Sequence, residues 1–131
     1  MEKLTFKIET RLINWNEVAQ MAYSKDSTKY SRTKKRQQTF IKHEIMNQLA
    51  DIHNYFGSSK VSVAYRWYTS TKFDLGNLGA GEKFIADSIN ELGLWDDDFN
   101  IKKITHERIT SKNDYVKVTI SGKMTNDNEK A

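Results

Sequence analysis

The chain contains no cysteine and no proline. The missing cysteine excludes disulfide bonds, thiol catalysis and cysteine-ligated metal sites, whereas the missing proline points to no particular function. Long hydrophobic runs are also missing, because no apolar stretch approaches the length of a membrane span. The N-terminal segment MEKLTFKIET lacks the apolar core of a signal peptide. We therefore expect a cytoplasmic protein with no membrane partner.

The length and the charge of the chain limit what it can be. Its 131 residues are enough for one buried core and too few for two, so we predict a single domain over residues 1–124. Residues 125–131 are polar, and we predict a disordered tail there. The net charge of +4 predicts a surface that attracts polyanions.

The hydrophobic pattern predicts alternating strands and helices. Apolar residues recur at every second position in four segments and at three- and four-residue steps in two others. The second helix is predicted between Leu78 and Leu92 with Gly93 as its stop, and Ser111 to Asp114 are predicted as a hairpin loop. The fold class is therefore α/β (α+β), a small mixed β-sheet of about four strands with two helices packed on it, in the order β-α-β-α-β-β. The predicted strands begin at Leu4, Val61, Ile101 and Tyr115, and the first helix carries an apolar stripe of Ile41, Ile45, Leu49, Ile52 and Phe56, ending at Gly57.

Acidic residues are concentrated on both sides of the second predicted helix. Asp74 stands where a strand gives way to this helix, and Asp96, Asp97 and Asp98 follow the helix end. The intervening chain is long enough to return the second group to the first, so these carboxylates could meet. Clustered carboxylates repel one another unless a cation neutralises them, which favours a divalent ion such as Mg²⁺ or Mn²⁺. The alternatives are ordinary structural roles, with Asp74 as a helix cap and the triple aspartate as a solvated turn.

A basic segment precedes the first apolar helical stripe. Between Lys25 and Lys42 there are seven lysines or arginines and one aspartate, interleaved with Tyr30 and Phe40. Because the segment lacks clear periodicity, we expect a flexible arm that becomes ordered on nucleic-acid phosphates; the alternative is a solvated face. The candidate DNA-binding residues are Lys25, Lys29, Arg32, Lys34, Lys35 and Arg36.

The order and spacing of these residues resemble the RusA-type Holliday junction resolvases. That family carries Asp-x-Asp-Asn, then a lysine and an aspartate on the following helix, then a pair of aspartates before a strand. In this chain the matching positions are Asp74, Asn77, Lys83, Asp87, Asp97 and Asp98, with Ile101 at the start of the strand. The resemblance also covers the polar, basic segment before the first helix and the order of strands and helices.

The resemblance implies a function and a role for each matched residue. It implies a homodimeric, metal-dependent endodeoxyribonuclease that cuts four-way DNA junctions by phosphodiester hydrolysis. Asp74, Asp97 and Asp98 would be the metal ligands, and Asp74, Asp98 and Lys83 would form the catalytic set, with Lys83 stabilising the charge on the phosphate. Asn77 and Asp87 would support the ligands. The helix position of Lys83 and Asp87 also permits a simple ion pair, and Lys83 could be an ordinary solvent-facing lysine.

One position departs from the family pattern. Gly76 stands where the family has the second aspartate of its motif, which removes one metal ligand. Two other functions therefore stay open. The first is a relative that binds branched DNA without cutting it, and the second is a DNA- or RNA-binding module without metal. A zinc site built from His43, His53 and His106 is not expected, because their positions do not bring them together.

Overall fold

The computed structural model describes residues 2–9, 15–22, 28–70 and 78–125. The elements in chain order are β1 (Glu2–Ile8), α1 (Trp15–Ala22), α2 (Lys29–Gln48), β2 (Val61–Thr69), α3 (Gly79–Leu92), β3 (Ile101–Thr110) and β4 (Tyr115–Gly122). A short 3₁₀ turn, Asp98–Asn100, precedes β3. The predicted α+β class and the order β-α-β-α-β-β are confirmed, and α1 is a third helix that the sequence pattern did not indicate.

The sheet is mixed, with the spatial order β1-β4-β2-β3. β4 lies between β1 and β2 and is antiparallel to both, whereas β3 pairs with β2 in parallel. Residues 111–114 are therefore not a hairpin loop, contrary to the prediction, because β3 and β4 are separated by β2. The connection closes over the end of β2, where Ser111 N–H donates to Thr69 O at 2.9 Å and Asp114 Oδ1 accepts from Ser70 N–H at 2.8 Å.

The hydrophobic core lies between the helices and one face of the sheet. Alternate residues of β1, β2 and β4 point into it, and the remaining positions on these strands are at least partly exposed. β4 is central in the sheet, and its alternate residues Val116, Val118 and Ile120 are fully buried. Other fully buried members are Phe6, Ile8, Ile41, Ile45, Phe56, Val61, Phe84, Ile85, Ile89 and Leu94.

The first long helix is displaced toward the N-terminus relative to the prediction. α2 begins at Lys29 and ends at Gln48, so Ile52, His53 and Phe56 follow the helix instead of belonging to it. Its inward stripe continues upstream of Ile41 through the buried side chains of Thr33 and Gln38. Because those two residues are polar, hydrophobic periodicity could not reveal this part of the helix. Lysine, arginine and glutamine are good helix formers, which supports a helix through the basic segment.

The second long helix agrees closely with the prediction. α3 spans Gly79–Leu92, and Gly93 ends it in the left-handed conformation at φ 71°. Gly93 N–H and Leu94 N–H donate to the carbonyl oxygens of Asn90 and Ile89, which satisfies groups left free at the helix end. Among the described residues, no helix has the length and apolar character needed to cross a membrane. Thr125, the first residue of the predicted tail, is bonded to Tyr55 O through its N–H at 2.8 Å, and residues 126–131 lie outside the described ranges.

Candidate functional site

An open pocket of about 520 Å³ lies between the N-terminal half of α3 and the start of β3. Its α3 side consists of Gly79, Glu82, Lys83 and Ala86, whose spacing of three and four residues places them on one helix face. Its other side consists of Asp98 and the four residues from Ile101 to Ile104. The β2-α3-β3 crossover creates this arrangement, since it lays α3 back across the two parallel strands and brings β3 beside it.

Two of the residues predicted from sequence to be catalytic line this pocket together. Lys83 comes from α3 and Asp98 from the turn before β3, 15 positions later. The pocket lining also includes one further carboxylate, Glu82, and two further cations, Lys102 and Lys103. The pocket therefore contains two carboxylates and three ammonium groups, a mixture that suits a phosphate group and the cation that accompanies it.

Asp97 has a structural role beside the pocket. Its Oδ1 accepts from Phe99 N–H at 3.0 Å and so caps the 3₁₀ turn that leads into β3. This hydrogen bond holds the pKa of the Asp97 carboxyl below its usual range, and a hydrogen bond with the side chain of Asp98 lowers that pKa by a smaller amount. Asp96 is likewise engaged, because its Oδ1 accepts from Asn54 Nδ2 at 2.5 Å. Of the three consecutive aspartates, only Asp98 is among the residues lining the pocket.

Asp87 faces the neighbouring helix. Its Oδ2 lies 3.5 Å from Gln38 Nε2 and 3.9 Å from Lys34 Nζ, both on α2. It therefore connects α3 to α2, while Lys83 stands on the pocket face of the same helix. Asp74, Gly76 and Asn77 lie outside the described residues, as does Lys25. In the sequence, Asn77 precedes by two positions Gly79, the first residue of α3 and part of the pocket lining.

His106 is connected to the pocket through a side-chain network that the sequence did not indicate. His106 on β3 is paired with Tyr65 on β2, and two positions further along the strands Arg108 is paired with Trp67. Trp67 Nε1–H donates to His106 Nδ1 at 2.9 Å, and His106 Nε2 lies 3.4 Å from Glu82 Oε2. The pKa of Tyr65 is raised mainly by burial and to a smaller extent by the negative charge of Glu82. The strand alternation could have placed His106 on the helix-facing side, but not its two partners.

Five of the six predicted DNA-binding residues lie on a helix and not on a flexible arm, which corrects that prediction, and the sixth, Lys25, is outside the described ranges. Lys29, Arg32, Lys34, Lys35 and Arg36 all belong to α2. A groove between α2 and α3 is lined by three cations, Lys34, Lys35 and Lys42, of which Lys42 binds Glu91 at 2.5 Å. A helical basic face is already ordered, so binding of a polyanion there would cost less conformational entropy than ordering a free arm.

The described residues contain oxygen donors but no complete set of metal ligands. No group of three or more acidic or histidine side chains converges within these ranges. Glu82 and Asp98 are hard oxygen donors of the kind that Mg²⁺ and Mn²⁺ prefer, and both line the pocket. A complete site would need a further donor, and Asp74 is the residue that the sequence offers for it.

Comparisons with known proteins do not assign the chain to a family. No protein-family model matches it, and no curated protein matches it either. Among solved structures, it is similar to a chain in the crystal structure of a HypE-HypF complex, at 11% sequence identity and a TM-score of 0.37. That similarity covers 92% of this chain and 32% of the other one, so this chain spans about a third of that protein's length. A similarity at this level supports no conclusion about function.

Proposed function

We propose that this protein is a metal-dependent endodeoxyribonuclease that cuts branched DNA, in particular four-way junctions, by phosphodiester hydrolysis. The proposal is supported chiefly by the pocket at the start of β3. Lys83 and Asp98, chosen from the sequence as catalytic residues, both line it although they come from separate segments. In the sequence, the segment that carries Asp74 directly precedes α3, the helix that forms one wall of this pocket.

The charges around the pocket fit the proposed chemistry. Asp74 and Asp98 would hold Mg²⁺ or Mn²⁺, and Asp98 lines the pocket. When bound, the ion would supply Lewis-acid activation of water and neutralisation of phosphate charge. Lys83, Lys102 and Lys103 would hold the phosphate oxygens and stabilise the extra negative charge of the transition state.

The basic face of α2 would hold the DNA backbone. Its lysines and arginines would contact phosphates without reading bases, which suits recognition of a branched shape in preference to a sequence. An enzyme acting on cellular DNA in this way would work in the cytoplasm, including that of a bacterial host if the protein is encoded by a phage.

A homodimer fits this function, because a four-way junction needs two symmetric cuts. β3 is an edge strand of ten residues, mostly exposed, and Ile104 on it is 44% exposed. The hydrogen bond from Ser111 N–H to Thr69 O fixes which backbone groups of β3 point toward β2. From Ile104 onward, past the register shift near Ile101, the N–H and C=O groups of the even-numbered residues point away from β2. An antiparallel pair of β3 strands centred on Thr105 would place Lys103 opposite Glu107 of the second copy.

A second candidate function follows from Gly76. Without the aspartate that the family has at this position, the protein could bind branched DNA and fail to cut it. In that case the basic face of α2 and the lysines of the pocket would carry the whole function. A DNA- or RNA-binding module without any metal is the third candidate, and metal binding separates it from the other two.

One paired experiment tests the proposal. Isothermal titration with Mg²⁺ and with Mn²⁺ would be run beside cleavage of a labelled four-way junction, using the unaltered chain, Asp98→Asn and Glu9→Gln. Glu9 is a matched control, since it is an exposed carboxylate next to β1, at the opposite edge of the sheet from β3, and pairs with Lys7 at 3.1 Å. We expect metal binding and cleavage by the unaltered chain and by Glu9→Gln, and loss of both in Asp98→Asn. Metal binding without cleavage would favour the non-cutting relative, and neither would favour the metal-free module.

A further inference from the structure

The proposed function leaves one polar network beside the pocket without a role. An indole N–H can only donate, so Trp67 requires an unprotonated Nδ1 on neutral His106. The ring proton of neutral His106 is then on Nε2, the atom that faces Glu82 at 3.4 Å. Trp67 thus selects the tautomer of His106, and His106 in turn presents a donor to the carboxylate of Glu82.

The aromatic surroundings restrict the imidazole ring. His106 stacks on Tyr65 with ring centroids 5.1 Å apart and on Trp67 with centroids 6.0 Å apart. Its side chain is 26% exposed and that of Glu82 is 23% exposed, so both are largely shielded from water. A glutamate on a helix surface normally samples several rotamers. The carboxylate of Glu82 instead lies 3.4 Å from the His106 ring, whose rotation is restricted by stacking.

We propose that Glu82 is the proton acceptor of the pocket and that His106 is its positioning residue. This inference rests on the proposed function. As a water oxygen forms its bond to phosphorus, the P–O bond to the departing sugar oxygen breaks. One water proton moves to the Glu82 carboxylate, and the departing oxygen takes a proton from solvent. The Nε2–H of His106 keeps the carboxylate turned into the pocket, which preserves the geometry that proton transfer requires.

The neighbouring carboxylates are less suited to this task. Asp97 is engaged in capping the turn before β3, and Asp87 is held by α2. Asp98 is exposed, and the proposed function assigns it to the metal ion. Glu82 is the lining carboxylate that is both shielded and oriented by a second side chain. The competing interpretation is that the His106 and Glu82 contact only ties β3 to α3.

Kinetics on a four-way junction with Mg²⁺ separate these interpretations. Glu82→Gln keeps the shape and an oxygen acceptor for His106 but cannot take a proton, and we expect kcat to fall by about 100-fold or more with KM within about twofold. His106→Phe keeps a stacking ring and removes both nitrogens, and we expect kcat to fall about 10-fold. Glu9→Gln should leave both constants unchanged, because Glu9 lies beside β1 at the other edge of the sheet. All variants would be measured in the unaltered chain and in the Gly76→Asp background.

Nitrogen NMR of the imidazole rings gives a readout that does not depend on cleavage. The chain has three histidines, so the signals of His106 can be assigned with the His106→Phe variant. We expect neutral His106 to carry its proton on Nε2, and Trp67→Phe to shift it toward a mixture of tautomers. A proton on Nδ1 in the unaltered protein would overturn the positioning role.

The outcomes distinguish this inference from the proposed function. If Asp98→Asn stops cleavage and Glu82→Gln cuts at the unaltered rate, the nuclease stands and the role of Glu82 is wrong. If neither background cuts any branched substrate, the proposed function fails, and the His106 and Glu82 contact is purely structural. If His106→Phe does not fold, Glu82→Gln alone decides the question, because its shape is that of the natural residue.

Discussion

Replacement of Lys34, Lys35 and Arg36 by alanine should weaken DNA binding and reduce its salt dependence. Each lost phosphate contact reduces the slope of log affinity against log salt by about 0.9, so the loss of three contacts changes the slope by at most about 2.7. At roughly 0.1 M salt this corresponds to an affinity loss of up to about 500-fold. Lys34 already lies 3.9 Å from Asp87 and can contribute less than the other two, which sets a lower bound of about 1.8 for the change in slope.

The fold should survive this triple replacement. The buried residues of α2 are Thr33, Gln38, Ile41 and Ile45, none of which is changed. Alanine is the best helix former, and the lost contact of Lys34 with Asp87 is a partly exposed ion pair worth about 0 to 1 kcal/mol. Thermal unfolding followed by circular dichroism should therefore show almost the same midpoint as the unaltered protein.

A matched control separates a binding face from a general effect of charge. Alanine at Lys3, Lys112 and Lys117 also removes three positive charges, which takes the net charge from +4 to +1. These exposed residues are on β1, in the connection before β4 and on β4, so none of them belongs to the basic face of α2. Fluorescence anisotropy of a labelled four-way junction across a salt series would give both slopes. Equal slopes for the two triple variants would refute the assignment of α2 as the DNA-binding face.

Four further substitutions test other parts of the molecule. Gly76→Asp should tighten divalent-metal binding and raise the rate of junction cleavage about tenfold, which lowers the barrier by about 1.4 kcal/mol. Asp74→Asn should abolish the remaining cleavage. Equal rates before and after Gly76→Asp would mean that another carboxylate has replaced the missing one. Thr105→Cys should give a disulfide-linked dimer on oxidation, since the chain has no other cysteine. In the proposed dimer the two copies of residue 105 face each other as a pair without shared hydrogen bonds, so their Cα atoms are about 4.5 Å apart. A strictly monomeric product on a non-reducing gel would contradict the β3 dimer. Gly93→Ala should destabilise the fold by about 1 to 2 kcal/mol in urea unfolding, because φ is 71° there and no neighbouring atom crowds the added methyl group, whereas an unchanged midpoint would show that the left-handed conformation is not required.

The accuracy of the predicted elements followed the strength of their local patterns. α3 was predicted within one residue, because its apolar stripe is unbroken and a glycine ends it. The start of α2 was missed, since Thr33 and Gln38 occupy its inward positions and hydrophobic periodicity cannot detect buried polar residues. The hairpin was wrong because turn chemistry at residues 111–114 says where the chain reverses and nothing about which strand receives it.

The candidate site shows the same division. The family resemblance selected Lys83 and Asp98, which line one pocket, and whether Asp74 joins them stays a prediction. Asp87 was selected through the same resemblance, and its contacts with α2 depend on how two helices pack. The contact between Glu82 and His106 carries no sequence signal, because it exists only once α3 packs across the parallel pair β2 and β3.

The sequence by itself determined the type and order of the four strands and the two long helices, since these follow from side-chain periods of two and of 3.6 residues that each segment sets locally. The tertiary structure alone decided that β4 is central, that β3 is an edge strand, and that the described part of the basic segment is a helical face. The place of β4 depends on its pairing with β1 and β2, which are distant in sequence, and on burial of Val116, Val118 and Ile120. Burial is a property of the whole chain, because the free energy of hiding an apolar residue depends on what covers it.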